Sequence, residues 1–116
     1  MLKYYFAVAS QKFLFEEEPL EEILRERINY YKSINKPIDF WILRNSSLIN
    51  FPHLINIKKT INQPISAIVS YNLHFINWIK LRVGFVLVGE CYGPPISCYD
   101  INLNKSNYYR YDNLII

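Results

Sequence analysis

The feature that most constrains the fold is a strand-to-helix unit near the start of the chain, residues 4–27. Its first six residues, YYFAVA, are unbroken in apolar and aromatic character, which is typical of a strand covered on both faces. Pro19 and the glutamates before it suit the first turn of a helix, because proline tolerates that position and negative charge stabilises the exposed amides. Five apolar residues then recur at helical spacing: Leu20, Ile23, Leu24, Ile28 and Tyr31. We expect this stripe to pack against the sheet that contains the first strand.

The length of the chain indicates one domain with one core. At 116 residues and 51% hydrophobic composition, it is too short for two ordinary domains. We predict a core over residues 1–92 and a C-terminal extension over residues 93–116, with a short strand near residues 97–103. The apolar runs are too short to cross a bilayer, and no basic segment followed by an apolar signal core stands at the N-terminus, so we expect neither export nor a membrane anchor.

The charge pattern and the two cysteines disfavour a nucleic-acid partner and a disulfide. The net charge of +3 comes from basic residues scattered among acidic ones, so we expect no nucleic-acid partner. Cys91 and Cys98 are close enough in sequence to meet, but nothing else indicates an oxidising compartment, which disfavours a disulfide.

The remaining pattern alternates strands and helices. It predicts, in order, a strand at 38–43, a helix at 52–61, a strand at 65–70, a helix at 73–82 and a strand at 83–88. Asn35 suits a helix stop and Asn72 a helix cap. Gly84, inside the last strand, suggests a bulge or a close backbone approach. This alternation by itself is typical of a parallel α/β arrangement.

Residue patterns for catalysis or cofactor binding are missing from the chain. A di-iron carboxylate site requires Glu-x-x-His pairs, but Asn50 stands three residues before His53 and Tyr71 three before His74. The three glycines do not form a phosphate-binding loop. We therefore expect no catalytic residue, no metal and no cofactor, and we interpret both histidines as surface residues.

Three residues are candidates for a binding patch: Asp39, Phe40 and Arg82. Asp39 is the only charge in the apolar segment 38–43. It either begins the strand in solvent or is presented with Phe40 at a contact surface, and the segment alone favours the first interpretation. Arg82 ends another element, and an acidic residue, a ring and an arginine together are typical of an interface.

Four consecutive blocks resemble a known family. They are AVASQKFLFEEEPLEEILRER, IDFWIL, AIVS and FINWIKLRVGFVLVGE, and in order and spacing they are similar to the hypothetical chloroplast reading frame fifty-four family of cyanobacteria and plastids. The likeness covers about residues 3–90, and residues 91–116 match no block. It implies an α+β fold with a single mostly antiparallel sheet of four to five strands flanked by helices, as an α/β sandwich.

The same resemblance implies a function. Its members are accessory factors that bind and stabilise or assemble the oxygen-dependent Mg-protoporphyrin IX monomethyl ester cyclase of chlorophyll biosynthesis. The implied partner is the di-iron catalytic subunit, which supplies the iron chemistry and the only link to the membrane. The implied location is the chloroplast stroma or the stromal face of photosynthetic membranes. The family's contact residues fall on Asp39, Phe40 and Arg82, which shifts the interpretation of Asp39 toward a contact surface.

Two other functions stay open at this point. One is a carrier of the porphyrin intermediate, with Trp41, Trp78 and the tyrosines as stacking surfaces. A weaker one is a catalytic component of the cyclase. For the accessory factor we expect Phe40→Ala and Arg82→Ala to weaken co-purification with the cyclase and to leave thermal unfolding nearly unchanged.

Overall fold

The computed structural model describes residues 2–17 and 20–96 of the chain. These residues contain four strands and three α-helices. The strands are β1 (Leu2–Ser10), β2 (Phe40–Leu43), β3 (Ile65–Ser70) and β4 (Leu87–Gly93). The α-helices are α1 (Leu20–Ser33), α2 (Pro52–Ile61) and α3 (Leu73–Val83). A π-helical segment, Phe13–Glu17, precedes α1, and a 3-10 helix, Asn45–Asn50, precedes α2.

The strands form one antiparallel sheet in the order β2-β3-β1-β4. Ser70 at the end of β3 lies opposite Tyr5 on one side and Phe40 on the other. Val8 of β1 lies opposite Leu87 of β4. The predicted α+β class and the antiparallel sheet are therefore confirmed, and the parallel arrangement that the alternation alone suggested is wrong for these strands.

Helices cover both faces of the sheet. On one face, Ala7 and Ala9 of β1 join a core with the buried stripe of α1 and with α3. On the other face, Tyr4, Phe6 and Val8 pack with the 3-10 helix and α2. Alternate side chains of β1 thus enter two different cores, which confirms the prediction of a strand covered on both faces. The five stripe residues of α1 are each at most 5% exposed.

The last strand begins later than predicted. Val83 ends α3 rather than opening a strand, and Gly84 closes the helix with φ +90°, a conformation that glycine adopts without strain. Lys80 Nζ donates to the carbonyl oxygens of Gly84 and Val86, 2.9 Å away in each case. The prediction of a strand at 83–88 with a bulge at Gly84 is wrong, because Val83 is buried against the α1–α3 core as part of the helix.

Two asparagines lie at helix ends, as the sequence predicts. Asn35 follows α1 with φ +55°, and the side chain of Asn72 accepts a hydrogen bond of 2.9 Å from the backbone N–H of His74. No helix within residues 2–17 and 20–96 has the length and apolar character needed to cross a membrane. The strand predicted near residues 97–103 lies outside the described residues, and the boundary at residue 92 stays a prediction.

Candidate protein-binding surface

Asp39 lies directly before β2 and is held by neighbouring groups. Its carboxylate accepts hydrogen bonds from the Tyr31 hydroxyl at 2.8 Å and from Lys36 Nζ at 2.6 Å. Its backbone carbonyl accepts from the Ser70 hydroxyl and the Tyr71 N–H. The side chain is 22% exposed. Burial, and then the hydrogen bond to Asp39, raise the pKa of Tyr31. Asp39 therefore ties the end of α1 to the start of β2 and keeps part of its carboxylate at the surface.

Phe40 is a core residue, which corrects the expectation that it is presented at the surface. Its side chain is fully buried. The ring stacks on Phe75 with centroids 4.3 Å apart and meets Tyr31 edge-on at 5.5 Å. The expectation of exposure is wrong because both faces of β2 are covered, so that all four of its residues are buried. A role of Phe40 in partner binding stays a prediction. Because the ring is buried, that role would be to support its exposed neighbours and not to touch the partner.

Arg82 lies at the surface in the last turn of α3, with its side chain 41% exposed. It makes a two-point contact with Glu26 of α1, in which both guanidinium nitrogens approach carboxylate oxygens to 3.1 Å. The guanidinium carbon lies 5.2 Å from the centre of the Trp78 ring. The hydrogen bond from Arg82 lowers the pKa of Glu26, which favours the ionised carboxylate. Arg82 thus fastens α3 to α1 and leaves part of its guanidinium in solvent.

Arg27 lies between these two sites, within a group of aromatic rings. Its guanidinium carbon is 5.0 Å from the Trp78 ring, 5.2 Å from Tyr30, 5.4 Å from Tyr31 and 5.6 Å from Phe75. Its buried Nε has no hydrogen-bond partner among the described residues. Cation–π attraction to the ring faces takes the place of an ion pair here.

These contacts join the three predicted site residues into one strip along the junction of α1 and α3. From Asp39 the contacts pass through Tyr31, Phe40, Phe75 and Trp78 to Arg82. We call this strip the α1–α3 seam; its members are Glu26, Arg27, Tyr30, Tyr31, Asp39, Phe40, Phe75, Trp78 and Arg82.

Sequence reasoning missed the middle of the seam. It gave Arg27 no part in binding and treated Trp78 only as a stacking surface for a pigment. Tyr30, which is 51% exposed, was not singled out. A signal was present, because Arg27 and Tyr30 are three residues apart on α1, and Trp78 and Arg82 are four apart on α3, which places each pair on one helix face.

The described residues contain no group of three or more histidine, cysteine, aspartate and glutamate side chains that could hold a metal ion. Trp41, proposed for pigment stacking, is 3% exposed, so its ring does not form a surface in this fold. Both histidines lie at the surface, as predicted. What the seam presents at the surface is arginine and aromatic side chains on α1 and α3, of which Arg82, Tyr30 and Trp78 are at least partly exposed. These are the residue types that dominate protein–protein interfaces.

Comparison with known proteins identifies the family. Residues 2–92 match the family described as Ycf54 protein. A protein of Porphyra purpurea named ycf54 is 54% identical over 90 residues, which cover 78% of this chain and 83% of that protein. The Arabidopsis thaliana relative named "Protein YCF54, chloroplastic" is 39% identical over 87 residues, 73% of this chain and 40% of that protein.

A solved structure has the same fold. The Ycf54 protein from Synechocystis sp. PCC6803 aligns with a TM-score of 0.67 and 48% sequence identity, covering 82% of this chain and 90% of that one. The resemblance found in the four sequence blocks is thus confirmed by sequence and by structure. The chain belongs to the Ycf54 protein family.

Proposed function

We propose that this protein is a non-catalytic accessory factor of the Mg-protoporphyrin IX monomethyl ester oxidative cyclase in chlorophyll biosynthesis. In this proposal it binds the di-iron catalytic subunit and favours its folded, assembled form. It works in the chloroplast, in the stroma or at the stromal face of photosynthetic membranes, and reaches the membrane only through that partner. Membership of the Ycf54 family and the chloroplast location in the name of the Arabidopsis relative support the assignment.

The observation that carries a binding function is the α1–α3 seam. Arg82, Tyr30 and Trp78 are all at least partly exposed, and tyrosine, tryptophan and arginine are the commonest interface hot spots. The pair between Arg82 and Glu26 and the contacts of Arg27 with the Tyr30 and Trp78 rings restrict these side chains before binding. A partner therefore has little side-chain entropy to remove when it docks.

Stabilisation of the partner follows from mass action. If the seam binds the folded cyclase subunit and not its unfolded chain, each bound complex removes folded subunit from the unfolding equilibrium. At a free factor concentration of about one hundred times Kd, this linkage stabilises the partner by about 2.7 kcal/mol. No contact with the cyclase substrate is needed.

The direct test compares two arginine substitutions. Arg82→Ala removes a seam arginine, and Arg25→Ala removes an exposed arginine of α1 that pairs with Glu21 within its own helix. We expect Arg82→Ala to reduce the amount of catalytic subunit recovered with the tagged protein from photosynthetic membranes, and Arg25→Ala to leave it unchanged. Both should unfold near the wild-type temperature, because exposed ion pairs contribute about 0–1 kcal/mol. Equal recovery with both variants would refute the placement of the interface.

Asp39→Asn provides a second probe of the seam. The substitution keeps the shape of the side chain and removes its charge, so a contact that needs the carboxylate is lost while the hydrogen bond with Tyr31 can persist.

Titration of the purified protein with the magnesium-protoporphyrin ester, followed by tryptophan quenching, tests the competing carrier function. Saturable tight binding in that titration would favour the function of a porphyrin carrier over that of an accessory factor.

A further inference from the structure

A second surface with its own chemistry lies at the other end of the sheet. Two adjoining depressions of about 550 and 490 Å³ share Gln63 and Pro64 in their walls. They lie where β1 and β2 end and β3 begins, and the backbone N–H of Gln11 bonds to the Pro64 carbonyl at 2.9 Å across this end. We call the two depressions together the basic groove.

Four cations line the basic groove. Lys12 and Arg44 border the first depression, and Lys58 and Lys59 border the second. One carboxylate, that of Glu16, also borders the first. Since four positive charges stand against one negative charge, the lining has an excess of positive charge, and this end of the molecule attracts anions.

None of these four cations forms an ion pair with another described residue. Elsewhere in residues 2–17 and 20–96, four basic residues are paired with carboxylates: Lys3, Arg25, Lys36 and Arg82. The C-terminal position of Lys58 and Lys59 in α2 accounts for part of the clustering, because cations stabilise a helix C-terminus. It does not account for Lys12 and Arg44, which follow the ends of β1 and β2. Like charges from three separate segments therefore line the groove, and none of them forms an ion pair with a described carboxylate.

The other groove residues suit a peptide. The amide side chains of Gln11, Gln63 and Asn62 both donate and accept hydrogen bonds, as a peptide backbone requires. Phe15 is 40% exposed and, with Pro64, adds apolar contact area. A concave, amide-rich lining matches an extended chain better than it matches a flat lipid surface.

We propose that the basic groove binds an acidic segment of a protein partner, whose carboxylates meet Lys12, Arg44, Lys58 and Lys59. This site is separate from the Asp39 end of the α1–α3 seam. Asp39 precedes β2 and Arg44 follows it, so the strand separates them by about 16 Å at about 3.3 Å per residue. The proposal rests on charge and shape in this chain and does not depend on the function proposed above.

The test uses the full-length protein and a fluorescein-labelled octaglutamate peptide, with binding followed by fluorescence anisotropy at low salt. We expect saturable binding that weakens as NaCl is added. Lys58→Glu/Lys59→Glu should weaken it at least about tenfold, which corresponds to about 1.4 kcal/mol. Arg44→Glu should also weaken it severalfold.

Lys32→Glu is the matched control for Arg44→Glu, because it changes the net charge equally at an exposed position on α1 outside the groove. Its affinity should stay close to that of the wild type. Equal weakening by Lys32→Glu would overturn the proposal, since only net charge would then matter. Binding of the peptide without saturation would also overturn it. Displacement of the peptide by phosphatidylglycerol vesicles or by a single-stranded DNA octamer, at lower concentration than unlabelled octaglutamate, would assign the groove to those partners instead.

Discussion

Replacing Phe40 by alanine should lower the unfolding temperature substantially, and this replaces the expectation from the sequence that Phe40→Ala leaves thermal unfolding nearly unchanged. The Phe40 side chain is fully buried and stacks on Phe75 at 4.3 Å. Removing a buried phenylalanine ring costs about 3–5 kcal/mol, including the cavity it leaves. At about 4 °C per kcal/mol for a domain of this size, the thermal midpoint should fall by roughly 12–20 °C.

Phe85→Ala is the matched control, because the same atoms are removed from a side chain that is 84% exposed. Its ring lies edge-on to Phe13 at 6.4 Å, and we expect a change within about 0.5 kcal/mol. Urea and thermal unfolding followed by circular dichroism measure both variants. If Phe40→Ala lost less than about 1 kcal/mol, the core position of Phe40 would be wrong. A loss of partner binding in Phe40→Ala is therefore to be judged beside Phe40→Leu, which keeps most of the buried volume.

Two further predictions concern the helix cap and the response to alkali. Asn72→Ala should lower the free energy of unfolding by about 0.5–2 kcal/mol, because the N–H of His74 loses its acceptor; Asn77→Ala, at an exposed position inside α3, should be neutral or slightly stabilising in the same urea titration. Burial raises the pKa of Cys91 to about 11 from a usual value of 9.0, and burial together with the Tyr71 hydroxyl raises that of Tyr4. These groups stay protonated to a higher pH in the folded protein than in the unfolded chain, which loses its protons first. The free energy of unfolding is therefore at its full value below pH 9 and falls as the pH rises toward 11. Urea titrations across that range should show a shallower fall for Cys91→Ala, and identical slopes would contradict the linkage.

Much of the fold was readable because the signals are local. The bounds of α2 and β3 and the apolar stripe of α1 follow from residue spacing within each segment, and the caps at Asn35 and Asn72 follow from one side chain each. The start of β4 was misplaced because Val83 and Gly84 fit a strand pattern equally well. Burial of Val83 in the core shared with α1 and the positive φ of Gly84 decide for the helix, and neither is visible in a short window of sequence.

The candidate site shows the same division. Asp39 and Arg82 were singled out from the residue pattern and then supported by the resemblance. The structure joins them through the rings of Tyr31, Phe40, Phe75 and Trp78. The exposure of Phe40 was predicted wrongly, because the unbroken apolar run of residues 40–43 is itself typical of a strand covered on both faces, and the interface interpretation did not take that signal into account.

By itself, the sequence determined the order and character of the elements, the charge balance and, through four blocks, the family. Only the tertiary structure decided which arginines stack on rings, which pair with carboxylates and which stand together in the basic groove. The physical reason is that helix and strand periodicity act over a few residues, whereas burial and charge neighbourhood depend on segments that meet only when α1, α3 and the sheet pack together.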